Sequence, residues 1–390
     1  MRLTYLTDHT APRMRALSER VVDRWNARRP DAPVHLVVAD HEELKEQLEH
    51  HLTADSPPDV MTWLAGNRMR SLAERGLMLD VTSLWDTEGL TESYDPRFRR
   101  MAVQNGVGYF LPTSHYWWAV YYRPSVFASL GIPAPLETWS DLREAGKVLR
   151  AAGMAPFALG ARHGCAAAAW FDYLNLRRNG PAFHEDLMAL RVPYTDRRVR
   201  AVFEFWRELL DDGWFLEGPA EYDEEEAIAA LRAGTAGMTL IGSYVADEYL
   251  PDDDADIDFF RFPLFDPALP VGEDAPVDGY FVSGRSRAPD AAAEFLAYLA
   301  SREVQQQTVE ALHVLPTRTD VDVTRAVQHV AKGLELLRRA DRVSQFYDLD
   351  TPWELAEVGM RAFVSFLDDP ARADELLREV EDHRVRLLGA

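Results

Sequence analysis

Polar and aromatic side chains follow the ends of three predicted strands near the N-terminus. Asp8 and His9 follow the first strand, His41 follows the second, and the segment from Trp63 to Asn67 follows the third. In an open parallel sheet the carboxyl ends of the strands share one edge, where loops and helix N-termini leave a crevice for a ligand. These residue types therefore indicate hydrogen bonding and ring contact with a small molecule.

Catalysis is the first alternative, because a glycosidase needs only two carboxylates spaced across a sugar. The acidic runs at Glu224–Glu226 and Asp252–Asp258 are single-sign blocks, which are usually solvated surface. The sequence contains no GxSxG elbow, HExxH zinc helix, GxxxxGK[ST] phosphate loop or GxGxxG fingerprint. We therefore expect a binding protein that is not an enzyme and uses no cofactor and no metal.

The elements that must position these residues alternate between strands and helices. In the predicted helix Arg13–Arg28, apolar side chains recur at three- and four-residue spacing, which defines one buried face. The other predicted elements of this region are the strands Met1–Leu6, Val34–Val38 and Val60–Trp63 and the helices Glu42–Leu52 and Met69–Arg75. Alternating strands and helices predict a largely parallel sheet with helices on its faces.

A second α/β region is predicted after Pro112, which bends an aromatic segment. Its predicted elements are the helices Trp139–Arg150, Ala166–Leu176, Val199–Leu210 and Glu224–Leu231 and the strand Gly237–Ile241. The apolar segment Phe259–Phe265 is interpreted as a strand that returns to the first region. The strand Gly279–Ser283, two helices starting near Pro289 and Glu303, and a helical C-terminal portion complete the prediction.

Charge and composition exclude several classes of partner. With 42 basic and 64 acidic residues the formal net charge is −22, which repels nucleic acid and anionic membranes. The single cysteine excludes an intrachain disulfide. The first strand starts almost at Met1, without a basic and apolar leader. The sequence therefore predicts a cytoplasmic location if it is complete, and an extracellular or cell-surface location if a leader or lipid anchor was removed.

Several segments match the motifs of one known family in order and spacing. They are Pro58–Val60 with Trp63, Gly66, Leu72 and Gly76; Gly108–Pro112 with Tyr121, Tyr122, Gly131 and Thr138–Trp139; Gly234–Gly242; Ala292–Gln305; and Leu315–Pro316. Together they resemble the extracellular solute-binding proteins, family 1, of carbohydrate-importing ABC transporters, which include maltose-binding protein. The resemblance extends over nearly the whole chain.

This resemblance implies a fold and a mechanism. The fold is α/β and two-lobed, the type II periplasmic-binding-protein-like fold, with mixed or parallel sheets flanked by helices and a ligand cleft between the lobes. The expected lobes are 1–112 with 264–312 and 113–263 with 313–390, joined by crossings near 112, 263 and 315. We expect a monomer that captures a sugar or oligosaccharide by lobe closure and delivers it to a membrane permease.

The family holds sugars with aromatic rings on the apolar C–H faces and with planar polar side chains on the hydroxyl groups. The resemblance places Tyr244 and Trp353 at positions where aromatic rings stack on the sugar. It also makes Trp63, at the end of the third strand, a candidate for ligand contact. Of Tyr116 and Trp117, beside the first crossing, only one can face the cleft, because neighbours in an extended chain point to opposite sides. The polar candidates are Asp8, His9, His41, Asn67, Arg162 and Asp278.

Some alternatives remain open at this point. Trp353 also suits a hydrophobic contact at a helix start. An inward-facing Arg162 would indicate an anionic sugar, because a guanidinium pairs bidentately with carboxylate or sulfonate groups. The abundant carboxylates would suit a polyamine, and a two-lobed protein of this kind can also serve a sensory function.

Overall fold

The computed structural model describes residues 2–87, 89–243, 256–312, 314–323 and 328–389, without the side chains of 41, 42, 46, 87 and 328. The chain divides into two compact units. Unit 1 contains Met1–Tyr116 and Pro276–Gly333, and unit 2 contains Trp117–Ala275 and Leu334–Ala390.

The strands are short, most of them five residues or fewer. They are β1 (Leu3–Thr7), β2 (Val34–Val38), β3 (Val60–Leu64), β4 (Val103–Gln104), β5 (Val107–Gly108), β6 (Leu111–His115), β7 (Trp118–Tyr122), β8 (Ala155–Ala158), β9 (Ala236–Gly242), β10 (Asp258–Phe260), β11 (Gly272–Asp274), β12 (Val277–Val282), β13 (Leu315–Pro316) and β14 (Arg342–Ser344).

Helices alternate with these strands and fill the C-terminal part. They are α1 (Pro12–Arg28), α2 (His41–Thr53), α3 (Asn67–Glu74), α4 (Thr82–Thr87), α5 (Leu90–Ser93), α6 (Pro96–Ala102), α7 (Pro124–Leu130), α8 (Trp139–Ala151), α9 (Cys165–Asn179), α10 (Pro181–Met188), α11 (Arg197–Asp211), α12 (Glu224–Ala233), α13 (Pro289–Leu299), α14 (Arg302–Leu312), α15 (Gln328–Arg338), α16 (Tyr347–Asp350), α17 (Trp353–Asp368) and α18 (Ala373–Gly389). None of the helices in the described ranges combines the length and apolar character needed to cross a bilayer.

Unit 1 is built on a six-stranded mixed sheet in the order β13-β6-β12-β3-β1-β2. β1 runs parallel to β2 and β3, as the strand–helix alternation predicts. β12 enters between β3 and β6 and is antiparallel to both. Aromatic side chains join the sheet to its helices, for example Tyr5 against Phe295 of α13 and Trp25 of α1 against the same ring.

Unit 2 has a four-stranded sheet in the order β10-β7-β9-β8 and a two-stranded sheet of β11 and β14. Its central element is α9, in which every residue from Ala166 to Arg177 is buried. A helix that is apolar around most of its surface must be enclosed by other elements. Here α10, α11, α17 and the four-stranded sheet surround it.

The points at which the chain changes units differ from the crossings predicted near 112, 263 and 315. The chain leaves unit 1 after Tyr116, returns after Ala275 and leaves again after Gly333. Residues 264–275 stay with unit 2 because β11 pairs with β14. Residues 315–316 stay with unit 1 because β13 pairs with β6.

The predicted strand Phe259–Phe265 is too long. Only its first two residues belong to β10, and Leu264 makes a single isolated bridge with Thr138. The ladder ends at Phe260, and Pro263, which has no N–H to donate, is unfavourable for its continuation. Of the predicted acidic loop 252–258, residues 252–255 lie outside the described residues.

Candidate functional site

The carboxyl ends of β1, β2, β3 and β6 and the start of β12 meet at one edge of the unit 1 sheet. Thr7 lies beside Val38 in the parallel pair, and Leu64 lies opposite Asp278 in the antiparallel pair. Ser114 of β6 pairs with Asp278 from the other side. We call this the polar edge; it comprises residues 7–9, 38–40, 64–67, 114–116 and 277–278.

His9 is fixed at the polar edge by two hydroxyl groups. Its Nδ1 lies 2.7 Å from Oγ of Ser18 in α1, and its backbone N–H donates to Oγ1 of Thr7 at 3.4 Å. Burial lowers the pKa of His9, and the carboxylate of the half-buried Asp8 opposes this shift. The imidazole is therefore neutral at pH 7, and its Nε2 can donate or accept a hydrogen bond.

Further hydroxyl groups support His9 from within the sheet. The hydroxyl of Thr62 donates to Oγ1 of Thr7 at 2.7 Å, and it lies 3.2 Å from the hydroxyl of Tyr5. Thr62 and Ser18 were not among the site residues predicted from the sequence. For Thr62 the signal was present, since a buried threonine in an otherwise apolar strand needs a hydrogen-bond partner.

Asp278 of β12 lies beside a β-bulge in the neighbouring strand β6. It pairs with Ser114, whereas the next residue, Gly279, pairs with Pro112, so that β6 has one extra residue here. A bulge re-aims the adjacent side chain and occurs frequently beside functional sites. Asp278 remains partly exposed, and so its carboxylate is accessible at the polar edge.

Gly279 is required by packing within the sheet. A Cβ at this position would overlap the carbonyl oxygen of Leu111 and lie 2.7 Å from the ring of Phe110. The absence of a side chain at Gly279 therefore allows the backbones of β6 and β12 to approach closely.

A cavity of about 40 Å³ lies between the sheet and helices α1 and α14. Tyr5 and Thr62 line its interior, and His9 and Asp278 line it at the polar edge. The structure thus brings together two predicted site residues that are far apart in the sequence. A volume of this size holds about three water molecules, or one substituent of a ligand.

Trp63 lies on the opposite face of the sheet from this cavity, because successive side chains of a strand point to opposite faces. It is adjacent to Thr62 and pairs with Gly279. Its ring is 5% exposed, and its indole N–H has no acceptor among the described residues. The structure therefore does not place Trp63 with His9 and Asp278.

Two other candidates of unit 1 lie at the polar edge. Asn67 begins α3, and its Oδ1 accepts hydrogen bonds from Nε and Nη2 of Arg70 at 3.0 and 2.7 Å. Tyr116 is partly exposed, and its backbone N–H donates to the carbonyl of Pro276 at 3.3 Å. The side chain of His41 lies outside the described residues, although His41 itself begins α2.

The candidates of unit 2 have different surroundings. Trp117 is 2% exposed and packs against Phe259, with a ring-centroid distance of 5.5 Å. Trp353 is the first residue of α17 and is partly exposed. Tyr244 lies outside the described residues.

Arg162 is bound to acidic groups at the start of α12. Its Nη1 lies 2.8 Å from Asp223 and its Nη2 lies 2.8 Å from Glu226, and it also donates to the carbonyl of Glu221. Two carboxylates therefore neutralise this guanidinium. The arrangement disfavours binding of an anionic ligand by Arg162.

Comparison with known proteins identifies the family. The profile described as bacterial extracellular solute-binding protein matches residues 7–306, which is more than half of the chain. The chain belongs to this family. As a solute-binding protein of this family it also resembles the bacterial solute receptor AcbH, whose structure superposes with a TM-score of 0.88 at 26% identity. The superposition covers 99% of this chain and 98% of AcbH, and it confirms the predicted fold class.

Two curated relatives align over parts of their length. An uncharacterized ABC transporter extracellular-binding protein of Pyrococcus horikoshii is 24% identical over 285 residues, which are 71% of this chain and 62% of that protein. An osmoprotective compounds-binding protein of Synechocystis sp. is 25% identical over 171 residues, 41% of this chain and 39% of that protein. The chain thus spans less than two thirds of either relative. The family and these relatives are binding proteins.

Proposed function

We propose that this solute-binding protein is the substrate-binding component of an ABC importer and that it binds a neutral pyranose sugar at the polar edge of unit 1. The observation that carries the proposal is the convergence of His9 and Asp278 on one cavity. A neutral imidazole and a carboxylate offer complementary hydrogen bonds to the hydroxyl groups of a sugar.

The likeness to AcbH supports a monosaccharide. That receptor is described as having an exclusive preference for β-D-galactopyranose. Galactose is therefore the first sugar to test, followed by other hexoses and by oligosaccharides. The pairing of Arg162 with Asp223 and Glu226 supports a neutral ligand over an anionic one.

The experiment is a thermal-shift screen with neutral mono- and oligosaccharides, acidic sugars and polyamines, followed by calorimetric titration. A ligand at 100 times its dissociation constant adds about 2.7 kcal/mol to the free energy of unfolding, which is readily detected. Stabilisation by a neutral sugar supports the proposal. Stabilisation by polyamines or acidic sugars alone overturns the proposed ligand class.

Site variants connect the ligand to the polar edge. We expect His9→Ala and Asp278→Asn each to weaken sugar binding by about 1–3 kcal/mol, since the first leaves a sugar hydroxyl without a partner and the second replaces a charged acceptor by a neutral amide. The matched control is Asp290→Asn, which changes an exposed carboxylate of the same unit. Unchanged affinity in both site variants places the ligand elsewhere.

Transport and location are part of the proposal. The family is extracellular, and a sugar held outside the cell has to be passed to a permease. Deleting the gene should abolish uptake of the labelled sugar, and a plasmid copy should restore it. Ligand-driven closure, which the family resemblance implies, should lower the radius of gyration measured by small-angle X-ray scattering.

A further inference from the structure

Unit 2 contains a cluster of one imidazole and two carboxylates that has no part in the proposed sugar function. Asp172 comes from α9, His184 from α10 and Asp274 from the end of β11, and each is fully buried. One oxygen of each aspartate and one ring nitrogen of His184 all lie within 4.8 Å of one another. From these residues we propose a structural zinc site.

The atoms that face one another in this cluster lack other partners. Oδ1 of Asp172, Nε2 of His184 and both carboxylate oxygens of Asp274 are buried without a hydrogen bond to any described residue. Buried polar groups are nearly always paired, because an unpaired one costs the full desolvation penalty. Three of these atoms, one from each residue, lie around one point, and the second oxygen of Asp274 belongs to the same carboxylate. Buried polar atoms arranged in this way indicate a cation that binds them.

The spacing fits coordination after a small contraction. Nε2 of His184 lies 3.8 Å from Oδ1 of Asp172. Zinc–nitrogen and zinc–oxygen bonds of about 2.0–2.2 Å place neighbouring ligand atoms of a tetrahedral site about 3.4 Å apart. This pair has to approach by about 0.4 Å, and the pairs with Asp274, which lie within 4.8 Å, by at most about 1.4 Å.

The remaining atoms of the ligands are held in place by neighbouring groups. Oδ2 of Asp172 accepts the backbone N–H of Tyr347 at 2.8 Å. Nδ1 of His184 lies 3.0 Å from the side-chain amide of Asn175. Turning the amides of Asn175 and Asn179, at the expense of the 3.4 Å hydrogen bond from Asn179 to the carbonyl of Arg198, lets Nδ1–H donate to an amide oxygen and directs the Nε2 lone pair to the metal.

Two arginines near the cluster pair with Glu273 rather than with the two aspartates. Arg177 and Arg261 both contact Oε1 of Glu273, at 2.7 and 3.3 Å. Neither oxygen of Asp274 accepts a hydrogen bond from a described residue. A divalent cation has a charge equal in size and opposite in sign to that of two ionised aspartates.

The donor set selects zinc over the alkaline-earth ions. Magnesium and calcium are bound by oxygen ligands, whereas imidazole with carboxylates suits zinc and its first-row neighbours. Bound zinc would join α9, α10 and β11 directly. It would also fix α16 through the hydrogen bond from Tyr347 to Asp172.

The test uses the full chain, stripped with EDTA, dialysed and titrated with zinc chloride against an indicator dye. We expect one zinc ion per chain that survives desalting, measured by plasma mass spectrometry, and a melting temperature several degrees higher than that in EDTA. A chain that retains no zinc and melts at the same temperature with and without it overturns the site.

Variants locate the bound ion. Asp274→Asn and His184→Gln keep side chains of similar size and should weaken zinc binding at least about 100-fold. His50 and His51 are neighbours on the surface of α2, so their double alanine variant serves as the control for adventitious binding. Loss of zinc in that control, with retention in Asp274→Asn, overturns the assignment.

A second measurement keeps the proposal testable if a buried variant fails to fold. Cobalt(II) replaces zinc and absorbs visible light more strongly in a tetrahedral nitrogen and oxygen site than as the aqua ion. Enhanced absorption by the cobalt-loaded chain, removed by one equivalent of zinc, supports the site. An unchanged aqua-ion spectrum overturns it.

Discussion

Gly359 of α17 lies directly against the hydroxyl group of Tyr347, so that a Cβ on Gly359 would overlap the phenolic oxygen. That hydroxyl lies 3.2 Å from the hydroxyl of the fully buried Tyr194. A side chain on Gly359 must therefore displace a ring that has no free space around it.

We expect Gly359→Ala to lower the free energy of unfolding, measured in urea, by about 1–3 kcal/mol. This loss outweighs the higher intrinsic helix propensity of alanine compared with glycine. Gly389→Ala in α18 is the matched control, because no atom lies within 4 Å of its added Cβ. Tyr347→Phe removes the phenolic oxygen and should reduce the effect of the alanine. An equal effect in both backgrounds would contradict the steric explanation.

Trp353 provides the sharpest test of a stacking residue in unit 2. Trp353→Ala should weaken sugar binding by about 1–3 kcal/mol, measured by calorimetry, if the ring covers a sugar face. Trp139 is the matched control, since it is also a partly exposed tryptophan at the first position of a helix and it stacks on Trp214. If both variants lose stability but bind sugar normally, the ring of Trp353 has only a packing role.

His115 should make the stability of the chain depend on pH. Burial, assisted by the charge of Arg97, lowers the pKa of His115 from 6.5 to about 3, while Asp95 opposes the shift. As the pH falls below 6.5, the unfolded chain takes up a proton that the folded chain excludes, so stability decreases until about pH 3. His115→Gln removes this loss and should gain about 2 kcal/mol relative to the wild type between pH 7 and pH 5.

Urea unfolding at pH 7, 6 and 5 measures this difference. The control is His163→Gln, because the side chain of His163 is exposed. Parallel pH profiles for the wild type and His115→Gln would show that the buried imidazole does not exclude the proton.

Asp59 stabilises the start of β3 through both of its carboxylate oxygens. One accepts the backbone N–H of Thr4 at 2.9 Å and the other accepts the hydroxyl of Ser286 at 2.6 Å. Asp59→Ala leaves both donors unpaired and should lower the free energy of unfolding by about 1–3 kcal/mol. Ser286→Ala should cost less, and the double variant should be less destabilised than the sum of the two. Strict additivity would argue against the bond between them.

Local patterns predicted local structure well. The predicted strand Val34–Val38 coincides with β2, and the predicted helix Arg13–Arg28 differs from α1 by one residue. Here the periodicity of apolar side chains and the proline residues determine the boundaries. Pairings between distant segments leave no such pattern, and the pairing of β11 with β14 was accordingly missed.

The candidate site, too, was predictable where it depends on local sequence and not where it depends on tertiary packing. His9 was predicted from its place at a strand end and Asp278 from the family resemblance, and both line one cavity. The sequence could not show that Trp63 lies on the other face, which depends on the register of β3. Asp172 stands in an apolar helical run that was predicted only as a helix; its proximity to His184 and Asp274 depends on tertiary packing.

The position of β12 has a consequence for biosynthesis. Because this strand separates β3 from β6, the edges of β3 and β6 that face it stay unpaired until residue 282 has been made, and the other edge of β6 until residue 316. Folding of unit 2 likewise cannot be completed before β14 and α17, in the last part of the chain, have been synthesised. The nascent chain therefore exposes unpaired strand edges for a long time, which favours aggregation. To express one unit alone, segments that are distant in the sequence have to be joined.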